Sequence, residues 1–182
     1  MKHFGAAGVL ALLMTSTAQA TPTQGSVGST STGSITITAS VPSRVQISKL
    51  SDVTFASVDP TTAASNNQDV CVWSNTGTKG YNITATGNNG GGTGTAFTVG
   101  GTGLTAVPYT VEWSATAGQT SGTALTSGTA LGSLTSTATT PGCTSGASTT
   151  ASLIVKMSTT SLQSMKSLTN YTGTLTLLVA PE

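Results

Sequence analysis

Short apolar alternations recur along this chain and constrain its fold more than any other feature. The clearest is Ser34-Ile35-Thr36-Ile37-Thr38-Ala39-Ser40-Val41, where Ile35, Ile37, Ala39 and Val41 share one face and hydroxyl residues the other, until Pro42 interrupts the pattern. A period of two with one apolar face marks a half-buried strand. Further strands are expected at Arg44 to Leu50, Val53 to Ala56, Asp69 to Ser74, Gly80 to Thr86, Ala96 to Val99, Tyr109 to Ser114, Ala151 to Met157 and Tyr171 to Val179. Between them lie turn formers such as Asn88-Asn89-Gly90-Gly91-Gly92, and the long stretch Ala117 to Gly132. One segment, Thr160 to Leu168, suits a short helical turn and is expected to cross from one sheet to the other. Many short strands with polar turns predict an all-β antiparallel sandwich. The abundant threonine favours extended backbone. A disordered Ser/Thr-rich stalk would be rich in proline, and the chain has only 6.

Residues 1–20 have the layout of a secretory signal peptide: Lys2 and His3, an apolar run from Phe4 to Met14, then Ala18-Gln19-Ala20 as a small-residue cleavage site. The apolar run is about eleven residues where a spanning helix takes roughly twenty, so it is expected to be removed rather than to insert in the membrane. Residues 21–33 read as a flexible Gly/Ser/Thr leader, 34–41 as a separate N-terminal strand and 42–182 as one domain.

Lys2 leaves with the signal, so Arg44, Lys49, Lys79, Lys156 and Lys166 balance Asp52, Asp59, Asp69, Glu112 and Glu182. A surface without a basic stripe argues against nucleic acid as a partner and offers little to anionic lipid. Near-neutrality also lowers one barrier to self-association. The only histidine, His3, leaves too. That removes Ser-His and Cys-His nucleophiles and histidine metal sites, and no close acidic pair takes their place. The expectation is a protein that is not an enzyme, with no catalytic residues, no metal and no cofactor. Its two cysteines, Cys71 and Cys143, are expected to form a disulfide in an oxidising compartment.

The glycines at 90–94 and 100–103 lack the Gly-Lys-Ser/Thr or G-x-G-x-x-G context of phosphate loops and read as hairpin tips. Asn82-Ile83-Thr84 and Asn170-Tyr171-Thr172 match a glycosylation tripeptide by composition alone. Trp73, Tyr81, Trp113 and Tyr171 fall in or beside strands, where sheet packing is a stronger expectation than a sugar site.

The alternating start Ile35-Thr36-Ile37-Thr38-Ala39-Ser40-Val41 resembles the N-terminal segment of alternate, colonisation-factor-class pilins. The ending Tyr171-Thr172-Gly173-Thr174-Leu175-Thr176-Leu177 is similar to final strands there and in archaic chaperone-usher pili with the spore-coat-U-like domain. Cys71-Val72-Trp73 and Pro141-Gly142-Cys143 add to the general pattern, although the colonisation-factor pilins lack such a cysteine pair. The resemblance implies an immunoglobulin-like sandwich missing its last strand and completed by donor-strand exchange. Ile35, Ile37, Ala39 and Val41 would be the donor residues, with Gly33 and the leader as slack. It implies a fimbrial subunit exported through the periplasm to the cell surface, with a periplasmic chaperone, an outer-membrane usher and copies of itself as partners. The filament would serve adhesion or biofilm formation. The competing expectation is a single-domain, secreted carbohydrate-binding adhesin.

Overall fold

A computed structural model describes residues 21–182; the signal-peptide expectation lies outside the described residues. The chain divides between Val41 and Pro42. In the first unit, Thr23 and Ser34 form an antiparallel bridge, with N–H to O distances of 3.0 and 2.9 Å. Ile35 to Val41 carry no strand assignment, a difference from the expected strand. Ile35, Ile37 and Val41 are 75, 84 and 83% exposed. Alternation marks a face that needs covering; it does not by itself supply the ladder partner that makes a strand.

The second unit, Pro42–Glu182, is all-β apart from short turns of helix. Its strands are β1 (Val45–Ser48), β2 (Ala64–Ser74), β3 (Gly80–Gly87), β4 (Thr98–Val99), β5 (Val107–Pro108), β6 (Thr110–Ser114), β7 (Thr123–Ala124), β8 (Ala130–Thr135), β9 (Ala151–Met157) and β10 (Leu175–Pro181). They form an antiparallel five-stranded sheet ordered β1-β2-β9-β6-β7, a three-stranded sheet ordered β10-β3-β8, and the small pair β4-β5. The helix α1 (Thr159–Gln163) follows β9 and precedes β10, so it carries the chain from the larger sheet to the smaller as expected. Ser158 caps it by accepting from Ser161 N–H.

The two sheets share one sandwich-like core. Val70 and Val72 of β2, Tyr81, Ile83 and Ala85 of β3, Val111 and Trp113 of β6, and Leu153 and Val155 of β9 supply most of it. Trp113 and Tyr81 are each 1% exposed, and the indole Nε1–H donates to the Tyr81 hydroxyl at 3.1 Å. Two large rings thus fill the centre with the buried indole N–H partnered. Burial also pushes the Tyr81 phenol up from its ordinary value.

Strand boundaries moved where polarity misled the pattern. β2 begins at Ala64, five residues before the expected Asp69, because Ser65, Asn66, Asn67 and Gln68 pair with β9 despite their low strand preference. The stretch Ala117 to Gly132, read as turn, contains β7 and the start of β8. Gly122 explains the first: a Cβ there would lie 2.4 Å from Trp113 O, so only glycine lets the chain lie this close beside β6.

Glu112 on β6 and Lys156 on β9 form an ion pair at 2.7 Å across the sheet. The Lys156 hydrogen bond holds the Glu112 carboxyl below its ordinary value of 4.5, against a smaller opposing effect of burial and with help from Gly122 N–H. A depressed folded-state pKa contributes stability above the ordinary value and loses it as pH falls through the folded one. Glu112→Gln should therefore lower the urea midpoint near neutral pH and match the parent once both are fully acid. The pair is partly exposed, so the difference should stay under about 1 kcal/mol.

Candidate functional site

The Cys71 and Cys143 sulfurs are bonded, across a sequence separation of 72, as the cysteine count led one to expect. The bridge staples the loop before β9 onto β2, where Ala138 and Trp73 pack around it. Cys71 is fully buried and Cys143 is 5% exposed, so the bond is structural in position.

The carboxylates are dispersed, and all but Asp52 have hydrogen-bond partners. Asp69 accepts from Gly118 N–H and the Ser152 hydroxyl, each at 2.7 Å. Asp59 accepts from the backbone and hydroxyl of Thr61, and these bonds lower its pKa. Glu182 accepts from Ser133 N–H at 2.7 Å. The four aromatic candidates serve packing: Tyr81 and Trp113 are core, Tyr171 packs against that core with its hydroxyl accepting from Lys166 N–H, and Trp73 covers the disulfide.

What the sequence did not announce is a groove of about 740 Å³ at one margin of the sandwich. One wall is Leu50–Ala56 and the other is Asn170–Leu177, with Leu153, Val155 and Met157 of β9 and the Tyr109 ring between them. Asp52 is the one charged residue that lines it. Val53 and Phe55 on the first wall and Leu175 and Leu177 on the second are half-buried hydrophobics packed against the core. Tyr109 stacks on Phe97 with centroids 5.8 Å apart, and burial pushes its phenol up.

The groove runs beside a sheet edge: β10, whose Leu175 and Leu177 line it, pairs only with β3. An edge strand presents a row of backbone donors and acceptors to whatever lies beside it. The expected strand at Val53 to Ala56 carries no strand assignment, because the chain leaves the β2 ladder after Ser48 at Lys49, whose φ is 65°. Gly173 lets the second wall lie close to β4: a Cβ there would come 2.7 Å from Thr98 O. The lining is largely apolar with a single carboxylate, Asp52, and among the described residues no group of three or more His, Cys, Asp or Glu side chains gathers. Compared with known protein families and with curated proteins, the chain matches none.

Proposed function

We propose that this chain is a structural subunit of a surface filament, in which the segment Ile35 to Val41 of one copy fills the groove of the next. The observation that carries the reading is the pairing of an apolar groove along an edge strand with an exposed, alternating segment of matching length in the same chain. The walls at Leu50–Ala56 and Asn170–Leu177 span seven and eight residues, and Ile35 to Val41 spans seven. On this reading the domain is an immunoglobulin-like sandwich short of one strand, and the donor adds backbone hydrogen bonds to β10 while its apolar face meets the core. Each buried Ile or Val side chain contributes about 1.5 to 3 kcal/mol.

Reach favours donation between copies over self-completion. Arg44 N–H donates to Asn75 Oδ1 at 2.6 Å, and Asn75 Nδ2 donates to Pro42 O at 2.9 Å. These bonds fix the root of the segment at the hairpin end of β2, from which β1 runs toward the groove. Seven extended residues cover roughly 23 Å. If the chain doubled back at Pro42, Ile35 would come level with about Leu50, where the groove begins. A segment from another copy has no such tether. Donor and acceptor surfaces differ, so the contact is head-to-tail and propagates a filament.

A periodic filament of this kind needs a periplasmic chaperone to cover the groove before assembly and an outer-membrane usher to exchange one strand for another. Export of the chain together with its cognate chaperone and usher should give filaments visible by electron microscopy on the cell surface. Recovery of the exported chain only as a monomer under those conditions would overturn the reading.

A further inference from the structure

We infer that Gln68 is a positioning residue that holds the near wall of the groove away from β2, and so keeps the groove wide enough for a strand; this rests on the strand-acceptor reading above. The β1–β2 register pairs Val45 with Ser74 and Ser48 with Cys71. Continued by three residues, it would place Ser51 opposite Gln68. The backbone ladder does not continue, and that position is one where antiparallel partners exchange no backbone bonds, as at Ile47 and Val72. The Gln68 side chain supplies a tie instead: Ser51 N–H donates to Gln68 Oε1 at 2.7 Å, and Gln68 Nε2 donates to Ser51 O at 3.0 Å. The wall at Leu50–Ala56 is thus held to β2 through a side-chain amide rather than through a backbone ladder.

The kink before it is fixed independently. Lys49 turns the chain with its φ of 65°, and its ammonium donates to Ser148 O in the loop that the disulfide staples. Gln68 also lines the groove, but its amide oxygen and nitrogen are both committed to Ser51, so it presents a satisfied surface to an apolar occupant. Without Gln68, Ser51 to Ala56 would lose its spacer and could close onto the β2 edge or drift from it. Either movement misplaces Val53 and Phe55.

The test uses the chain carrying Ile35→Asp and Ile37→Asp, which leaves the groove for an added strand. The probe is an acetylated and amidated peptide of residues 33–43. Gln68→Ala should weaken peptide binding about ten-fold, the loss expected for two hydrogen bonds that preorganise a site. Gln68→Glu keeps the acceptor for Ser51 N–H but sets a carboxylate against Ser51 O. It should bind as weakly as Gln68→Ala near neutral pH and recover when the carboxyl is protonated and can donate again. Asp52, Tyr109 and Tyr171 line the same groove in parent and variant alike, and Asp69 follows Gln68 on β2, so the parent measured at both pH values accounts for them. A merely structural residue would lower the urea midpoint without this acid recovery. Peptide binding by the parent together with equal binding by both variants would overturn the role of Gln68. No peptide binding by the parent would overturn the strand-acceptor reading, and this inference with it.

Discussion

Replacing Ile35 and Ile37 together with Asp should abolish filaments while leaving a folded subunit. The two isoleucines sit two apart on one face, so both side chains of a donor segment enter the groove together. Aspartate there puts two carboxylates against Leu153, Val155 and Met157, and beside Asp52, the one charge already at the lining. Burying a charge without a partner is strongly unfavourable, and the like charge of Asp52 adds to the cost. The lost apolar burial alone is worth about 3 to 6 kcal/mol for two side chains. The acceptor groove of the altered copy lies in Pro42–Glu182 and is untouched. It should therefore accumulate in the periplasm bound to its chaperone, or cap a growing chain from one side. Pull-down of the chaperone and electron microscopy read the two halves of this result. Normal filaments from the double mutant would eliminate the donor assignment; loss of the folded chaperone complex would mean that the segment completes its own domain.

The all-β class was legible because short apolar runs and alternations recur between turn-forming stretches. In β9 every position but Lys156 is buried, and its limits at Ala151 and Met157 match the expected ones, since an apolar run flanked by turns has few other solutions. β2 and β8 were less visible for a physical reason. Asn66, Asn67 and Gln68 gain their strand conformation from pairing with Val155, Ile154 and Leu153 on β9, a tertiary effect that local preference opposes. β8 is a half-exposed strand in which Gly132 and Ser133 interrupt the alternation. Ser133 takes a φ of 58° near the β3–β8 register shift.

The candidate site divides in the same way. The alternating segment Ile35 to Val41 could be read directly, because its whole signal is local: four apolar residues at a period of two after a Gly/Ser/Thr leader. The groove could not. Its walls come from residues 50–56 and 170–177, and its floor from β9, so the site exists only once the topology brings these three distant stretches together. Val53 and Phe55 do alternate, and were expected to form a strand. What the alternation could not convey is that Lys49 turns the chain off the ladder and that Gln68 then holds it at a distance.

Removing the disulfide should cost the domain a large part of its stability without changing its fold. The bond closes a loop across a sequence separation of 72, for which the chain-entropy account gives about 4 to 5 kcal/mol. Small domains are stable by about 5 to 15 kcal/mol, so this is about a quarter of the total or more. The native loop has other holds. Thr150 N–H donates to Val70 O at 2.8 Å, Val72 N–H donates to Thr150 Oγ1 at 2.9 Å, and the Ser136 and Thr150 hydroxyls both donate to Val72 O. These bonds satisfy the β2 backbone beyond the end of β9, and they need no covalent link to do so. A Cys71→Ala and Cys143→Ala chain should therefore give an unchanged circular dichroism spectrum and a urea midpoint lowered by the equivalent of about 4 kcal/mol. Because both sulfurs are buried, reductant should attack the parent bond only when the domain opens, so the rate of thiol appearance should follow the rate of unfolding. Equal urea midpoints for the two chains would show that the loop restricts the unfolded state very little; rapid reduction under native conditions would place the bond in a part of the domain that opens locally.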